Sequence, residues 1–217
     1  TFMQITWYGH SCFLLTSESG YSILTDPCDQ ETGYELHDLV CDAVTISHEH
    51  HDHNCLAIVA GSPEILRKPG AFQAGDIPVT GYSSYHDDAK GANRGENIVF
   101  LYQIDGLKVL HLGDLGHMLS DEIIQKIGDI DVLLAPIGGV FTLNAKMATA
   151  LADRLNAKVL IPMHYKTPAL HFNMVGMEPL LAENATRRVH HLNANTATLS
   201  RETLGDRRLL ILDYKRS

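Results

Sequence analysis

The chain of 217 residues lacks the features typical of membrane-spanning, exported or disordered proteins. It has no uninterrupted run of about 18 apolar residues, so the sequence predicts no membrane-spanning helix. Residues 1–5 lack the charged and apolar regions of a signal peptide. No segment is of low complexity, and 45% hydrophobic with 20% charged residues is typical of a globular domain. We therefore expect a folded protein with no membrane partner.

Cysteine is scarce and its spacing is uninformative for a disulfide framework. The four cysteines contain no C-x-x-C pair and all lie within the first 55 residues: Cys12, Cys28, Cys41 and Cys55. In a chain of this size, such cysteines are typical of reduced thiols. This pattern predicts a cytoplasmic protein.

Basic residues are also fewer than acidic residues. Seventeen Lys and Arg residues stand against 26 Asp and Glu residues, which gives a formal net charge of −9. Polyanions are bound through clustered Lys and Arg, so this balance argues against nucleic acid as the main partner. We expect a small-molecule substrate instead, and homo-oligomerisation is left open. Histidine is the residue in excess, with 13 copies.

The most informative segment is residues 47–54, which read SHEHHDHN. His48, His50, Asp52 and His53 fit the pattern H-x-H-x-D-H, whose spacing serves two metal ions. The alternative is a solvated histidine-rich loop. The apolar, β-branched residues 42–47 favour the metal site, because they predict a buried strand that ends where the ligands begin. Open α/β sheets place their sites at the carboxyl ends of strands.

The hydrophobic pattern predicts more strands than helices. Strands are predicted at residues 3–8, 12–16, 21–25, 42–47, 77–80, 97–104, 107–112, 131–136, 158–162, 196–199 and 208–214. Helices are predicted at 54–60, at 120–127 with Ser120 as cap, and at 145–155 with Thr142 or Asn144 as cap. Residues 63–66 are predicted to form a turn. Meanders precede β-α-β units, an order that indicates two sheets packed face to face with helices outside.

Further metal ligands are expected at other strand ends. Asp114 follows the strand 107–112, with Gly113 allowing a sharp turn, and its carboxylate can bridge both ions. His164 follows the strand 158–162, and His86 follows the apolar stretch near residues 79–82. The predicted ligand set is His48, His50 and His86 on one metal, Asp52, His53 and His164 on the other, with Asp114 shared.

Each predicted ion keeps an open coordination position, which is typical of catalytic rather than structural sites. Two adjacent ions can share a hydroxide and polarise a substrate oxygen. Asp52 is then the catalytic residue, because it would bind the second metal and orient the bridging hydroxide. Zinc is the first expectation for the two divalent ions, and manganese, nickel or iron are alternatives.

With this set of residues the chain resembles metallo-β-lactamase-fold hydrolases. Besides the histidine motif, it shares segments with the branch that includes L-ascorbate-6-phosphate lactonase: residues 7–13 (WYGHSCF), 112–117 (LGDLGH), 136–139 (PIGG) and 162–167 (PMHYKT). The resemblance implies an α/β fold, namely a four-layer αββα sandwich of two mixed sheets with outer helices. It implies a single domain over residues 1–217, with the site at the shared edge of the two halves.

Two departures from the superfamily narrow the function. The best-known zinc β-lactamases carry cysteine at the position of Asp114, which argues against antibiotic hydrolysis. Di-iron oxygen reductases with this fold carry glutamate at the position of His50, which argues against electron transfer.

Four residues have less definite predicted roles in orienting ligands or contacting substrate. Asp26 is predicted to fix a ligand histidine, the alternative being an ordinary turn aspartate before proline. His10 either approaches the site or bonds to backbone. Arg94 and Lys166 are candidate anion contacts, the alternative being solvated or loop-holding side chains. No role is predicted for His51, His111, His117 and His171.

These observations predict a metal-dependent hydrolase that cleaves a small ester, lactone or phosphorylated metabolite through a metal-bridged hydroxide. A phosphodiesterase or ribonuclease of the same fold is an alternative, although such relatives tend to show basic patches or a long flexible arm. A metal-binding module without turnover is a third hypothesis.

Overall fold

The protein is built from short strands arranged in two sheets. A computed structural model describes residues 1–215. The strands are β1 (Phe2–Gly9), β2 (Cys12–Thr16), β3 (Ser22–Thr25), β4 (Ala43–Thr45), β5 (Glu64–Leu66), β6 (Gly70–Ala74), β7 (Ile77–Tyr85), β8 (Glu96–Ile104), β9 (Leu107–His111), β10 (Val132–Pro136), β11 (Val159–Met163), β12 (Arg188–His191), β13 (Thr196–Ser200) and β14 (Arg208–Ile211). The α-helices are α1 (Asp121–Ile127), α2 (Ala145–Arg154) and α3 (Glu178–Glu183), and short 3₁₀ helices span Gln30–Thr32 and Leu56–Ile58.

Both sheets are mixed. Sheet 1 has six strands in the order β13-β1-β2-β3-β4-β5, antiparallel from β13 to β3 and parallel from β3 to β5. Sheet 2 has eight strands in the order β12-β14-β11-β10-β9-β8-β7-β6. It is parallel from β12 to β9 and antiparallel from β9 to β6.

The two sheets pack against each other through one large apolar cluster. Trp7 and Phe13 from sheet 1 and Phe100 and Tyr102 from sheet 2 are at most 1% exposed and belong to the same cluster. Burial of such aromatic surface is the main favourable contribution to packing. The predicted α/β sandwich of two mixed sheets is therefore confirmed.

The helices lie mainly on sheet 2. Helix α2 packs on β10 and on α3, and the apolar side chains of α1 join the same core. The outer face of sheet 1 is covered differently: Leu24, Val44 and Ile46 form a second apolar cluster that includes Leu56 and Val59, in and beside a 3₁₀ helix. The outer layer there consists of 3₁₀ turns and loops rather than α-helix.

The predicted helix caps follow local sequence rules. The Ser120 side chain accepts a hydrogen bond from the backbone N–H of Ile123, and the Asn144 side chain accepts one from Met147. Each satisfies a helix N–H group that has no partner within the helix. Of the two residues predicted to cap α2, Asn144 is the cap and Thr142 is not.

Some local predictions were wrong because tertiary pairing decides them. Residues 63–66 were predicted as a turn, but Glu64–Leu66 forms β5 and pairs in parallel with β4. The helix predicted at 54–60 is reduced to the 3₁₀ helix Leu56–Ile58. Strands β6 and β12 lie at the two edges of sheet 2 and carry too weak an alternation to be predicted. Of the helices in residues 1–215, none is long and apolar enough to cross a lipid bilayer.

Candidate metal centre

The predicted metal ligands follow strand ends that meet at one edge of the sandwich. His86 and His164 come directly after β7 and β11, while His48 and Asp114 come three residues after β4 and β9. His164 has a left-handed backbone, with φ +52°, as do Gly113, Asp26 and His10. Such conformations are uncommon for residues with a Cβ and cluster at functional sites. The structure brings all seven predicted ligands together: His48, His50, Asp52, His53, His86, Asp114 and His164.

The first group of predicted ligands consists of three histidines. One nitrogen from each of His48, His50 and His86 lies within 4.8 Å of the others, a spacing that allows one metal ion to contact all three. The Oδ2 atom of Asp114 lies 3.3 Å from Nε2 of His48 and 3.0 Å from Nε2 of His86. These are the four residues predicted for the first metal.

The second group contains Asp52, His53 and His164, with His10 as an additional member, again with ligand atoms within 4.8 Å of one another. Asp114 reaches this group through both oxygens: Oδ1 lies 3.1 Å from Nε2 of His164, and Oδ2 lies 3.0 Å from Nε2 of His53. Asp114 thus stands between the two groups, where a bridging carboxylate must lie.

The facing atoms are suited to a cation because they do not satisfy one another. Nε2 of His48, His53 and His164 is buried and has no hydrogen-bond partner among the described residues, although each lies near an Asp114 oxygen. Buried polar atoms normally have a partner, so a cluster of such atoms needs a physical reason. Imidazole and carboxylate lone pairs that converge on shared space are a typical divalent metal site. The side chains present are therefore suited to binding divalent metal ions.

The other nitrogens of the ligand histidines are held by a hydrogen-bond chain centred on Asp26. The Asp26 carboxylate accepts from the backbone N–H and the hydroxyl of Ser47, at 2.8 and 2.6 Å, and from Nδ1 of His53 at 2.8 Å. Because the Ser47 hydroxyl donates to Asp26, its oxygen accepts from Nδ1–H of His48, at 2.8 Å. In their neutral forms both histidines therefore carry the proton on Nδ1, which leaves Nε2 available to bind metal.

Similar contacts orient His86 and the turn that carries Asp114. Nδ1–H of His86 donates to the Phe141 carbonyl at 3.0 Å. The backbone N–H of Asp114 donates to the Asn97 side chain at 3.0 Å, and the N–H of Gly113 donates to Nδ1 of His111 at 3.1 Å. The turn that delivers Asp114 is therefore fixed from two sides.

The electrostatics of the cluster also indicate a cation site. Burial alone would lower the pKa of His53, but the carboxylates of Asp114 and Asp52 raise it well above its ordinary value. Burial alone would raise the pKa of Asp114, but the surrounding histidines, His164 foremost, lower it well below its ordinary value. The carboxylates are thus ionised and attract positive charge, which either protons on imidazole or bound metal can supply.

His10 lies inside the site rather than against backbone alone. Its side chain is fully buried, its Nε2–H donates to Asp52 Oδ2 at 2.7 Å, and its ring lies 4.2 Å from the His164 ring, centroid to centroid. Burial and then the nearby His164 lower its pKa to about 4. His10 is therefore neutral near pH 7, with its proton on the nitrogen that holds Asp52.

The two predicted anion contacts differ in their surroundings. Arg94 lines a cavity of about 280 Å³ above the metal ligands, together with Val140, Phe172 and Met174. The Lys166 ammonium donates to the carbonyls of Leu170 and Phe172 and so braces the loop that carries Phe172. Lys166 does not line this cavity.

The histidines without a predicted role are dispersed. His111 is buried and donates through Nε2–H to the Ser11 carbonyl. His117 accepts from the Tyr85 N–H and donates to the Met118 carbonyl, while exposed His51 bonds to Asp29. His171 lies on the surface in another cavity, outside the metal cluster.

Sequence reasoning missed three orienting residues: Ser47, Asn97 and His111. Ser47 directly precedes His48, and His111 lies three residues before Asp114. Their position beside predicted ligands at strand ends could have indicated an orienting role. Asn97 offered no such signal, because its amide reaches the Asp114 turn only through pairing of β8 with β9.

Comparison with known proteins agrees with this geometry. The model of the beta-lactamase superfamily domain matches residues 4–164. The chain belongs to the metallo-β-lactamase superfamily. It is 32% identical over 188 residues to a metal-dependent hydrolase of Methanoregula boonei, covering 76% of this chain and 83% of that protein.

Solved structures of the superfamily share the fold. A crystal structure from Thermotoga maritima, described as a candidate zinc-dependent hydrolase of the metallo-β-lactamase superfamily, superposes with a TM-score of 0.78 at 37% identity, covering 97% of this chain and 98% of that one. The Igni18 metallo-hydrolase of Ignicoccus hospitalis has a TM-score of 0.69 at 22% identity, covering 92% and 99%. This metallo-β-lactamase superfamily member is a metal-dependent hydrolase with a histidine and aspartate candidate metal site.

Proposed function

We propose that this hydrolase holds two divalent ions and cleaves a small ester, lactone or phosphorylated metabolite. The observation that carries the proposal is the convergence of unpartnered imidazole nitrogens from two histidine groups on one carboxylate, Asp114. When bound, the two ions would supply a hydroxide nucleophile of lowered pKa and a Lewis acid for the oxyanion. The proposed ligands are His48, His50 and His86 for one ion, Asp52, His53 and His164 for the other, and Asp114 for both.

Side chains of the protein itself then position the Asp52 carboxylate and the metal-binding histidines. Asp52 borders the cavity and is held from behind by Nε2–H of His10, so one oxygen is fixed while the carboxylate faces the reaction space. Asp26 keeps His53 in the required tautomer. Preorganised groups of this kind stabilise developing charge without reorganising during the reaction.

A side-chain nucleophile is not part of the proposal. Burial raises the pKa of the Cys28 thiol to about 12 and that of the Cys12 thiol well above its ordinary value. The Ser47 hydroxyl is buried, and its oxygen already accepts from Nδ1–H of His48. These groups are therefore poor nucleophiles at neutral pH.

Zinc is the first choice for the metal because five imidazoles and two carboxylates form the proposed set, and nickel, iron or manganese are the alternatives. The four cysteines are free thiols in the structure, in keeping with a reducing compartment such as the cytoplasm. The small cavity and the net charge of −9 support a small-molecule substrate over a nucleic acid.

The test begins with metal quantitation on protein purified without added metal. We expect two equivalents per chain, loss of activity with a chelator and recovery with one preferred divalent metal. A panel of ester, lactone, thioester and phosphodiester substrates then assigns the bond. Turnover that survives complete metal removal would contradict the proposal, and activity confined to phosphodiesters or RNA would favour the alternative enzyme class.

A further inference from the structure

Two cavities meet at Arg94. The cavity of about 280 Å³ above the metal ligands is lined by Asp52, Asp114 and His164, and Arg94 belongs to its wall. Arg94 also lines a neighbouring groove of about 630 Å³ that runs past His48 and His50. Its guanidinium therefore stands beside the reaction space rather than on a remote surface.

The Arg94 guanidinium has no carboxylate within ion-pair distance among residues 1–215. It lies over the Phe141 ring, 5.0 Å from the ring centroid. The Phe141 carbonyl in turn holds the ligand His86. Stacking on an aromatic face fixes the plane of a guanidinium and leaves its N–H fork open to a ligand.

The backbone beneath Arg94 is rigidly organised by one buried side chain, Asp87. Its carboxylate accepts four backbone N–H hydrogen bonds at 2.7 to 2.9 Å, from Ala89, Gly91, Asn93 and Arg94. Because Asp87 directly follows His86, a proposed metal ligand, the segment that carries this ligand also fixes the loop beneath Arg94. Such preorganisation reduces the entropy lost when a ligand binds.

Other cations near the site are already engaged. Arg67 lines the larger groove, but its guanidinium makes a two-point contact with Glu49, at 2.9 and 2.6 Å. Lys166 bonds to backbone carbonyls. Of the described residues that line the cavity above the metal ligands, Arg94 is the cationic side chain whose charge is unpaired.

We propose that Arg94 determines substrate specificity by binding a carboxylate or phosphate group on the substrate. The charged group then lies at the junction of the two cavities while the scissile bond faces Asp52 and Asp114. The same cavity is also lined by Val140, Phe172 and Met174, which suit an uncharged, partly apolar portion of the molecule. This inference rests on the proposed hydrolase function, and it narrows the substrate to a small organic anion.

The first arm of the test compares two esters that share a leaving group. The probes are mono-(4-nitrophenyl) succinate, which carries a free carboxylate, and 4-nitrophenyl butyrate, which is neutral. Charge-assisted hydrogen bonds typically account for about 10- to 100-fold in affinity, so Arg94→Gln should raise KM for the succinate ester by about that factor. KM for the butyrate ester should stay within about twofold, and Arg94→Lys should give an intermediate loss because it lacks the planar fork.

Arg67→Gln is the matched control, because it removes an arginine of the adjoining groove that is already paired. It should leave the preference for the succinate ester unchanged. Circular dichroism should show unaltered folding for Arg94→Gln, since the side chain is exposed. Equal losses for the charged and neutral esters in Arg94→Gln would overturn the proposal.

The second arm does not depend on turnover. Propionate and methyl phosphate are titrated by calorimetry into zinc-loaded wild-type protein and Arg94→Gln, and the anion with the larger Arg94-dependent loss of affinity identifies the preferred group. Arg94-dependent binding without hydrolysis of any ester would support the anion site and reject the ester-cleaving function. Equal affinity of both proteins for both anions would overturn the anion site.

Discussion

The replacement Asp26→Asn tests whether a residue outside the metal ligands sets the metal affinity. Asp26 accepts hydrogen bonds from the Ser47 N–H, the Ser47 hydroxyl and Nδ1–H of His53. Asparagine keeps the size and can still accept from the Ser47 N–H, but its NH₂ group then faces His53. To avoid two opposed donors, His53 must move its proton to Nε2, the nitrogen that faces Asp52 and Asp114.

The magnitude follows from this change of tautomer. A protonated Nε2 cannot bind metal, and loss of such an orienting partner typically lowers metal affinity about 10- to 100-fold. That range corresponds to about 1.4–2.8 kcal/mol. Metal-free protein should also lose roughly 2–3 kcal/mol of stability, because hydrogen bonds to a buried charged group are replaced by weaker ones.

The assay is zinc titration by calorimetry, with chemical denaturation of the metal-free protein beside it. Asp42→Asn is a matched control: Asp42 also accepts from the N–H and hydroxyl of a serine, Ser22, but is not among the grouped metal-binding residues. It should lose stability without losing zinc affinity. If Asp26→Asn binds zinc with wild-type affinity, the tautomer argument is refuted. If both variants lose the same zinc affinity, the loss is a general effect on folding rather than a change of the His53 tautomer.

Three further outcomes are expected. Asp52→Asn should weaken binding of the second metal and lower kcat by about 10²-fold or more, with folding nearly unchanged. Near-normal turnover with both metals bound would mean that another group orients the nucleophile. Gly113→Ala should lower the free energy of unfolding by about 1–3 kcal/mol, because a Cβ at φ +58° would lie 2.6 Å from Cβ of Ser47. An unchanged free energy of unfolding in denaturant titrations would contradict this close packing. Burial alone would raise the pKa of Asp87, but the backbone N–H groups that it accepts from, that of Arg94 foremost, lower it to about 2. Protection of the amides of residues 89–94 from hydrogen exchange should therefore persist above about pH 4 and disappear as the pH falls toward 2. Protection that survives in Asp87→Ala at pH 7 would argue against this anchor.

Local sequence rules predicted the elements whose causes are local. The Ser120 and Asn144 caps depend on residues three positions apart. The Asp-Gly pair at 105–106, between β8 and β9, has positive φ at both residues, the backbone of a type I′ hairpin turn that this residue pair favours. By contrast, β5 and β12 exist because a neighbouring strand supplies their hydrogen bonds, so their own residues carried little signal.

The candidate site shows the same division. The histidine motif and the strand-end placement of Asp114 and His164 were readable along the chain, because metal ligands need fixed spacing and strand ends converge at a sheet edge. The orienting contacts could not be predicted with equal detail. Asn97 reaches the Asp114 turn through strand pairing, and the Phe141 carbonyl reaches His86 from a loop 55 residues away.

The sequence by itself determined the superfamily and the residues proposed as metal ligands, since their chemical types and order are properties of the chain. Only the tertiary structure decided that Nε2 of His48 and His53 faces the centre, that His10 holds Asp52, and that Arg94 stands unpaired beside the cavity. The physical reason is that tautomer, burial and pairing depend on atoms brought from distant segments. A side chain's identity fixes what it can donate or accept, whereas packing fixes what it meets.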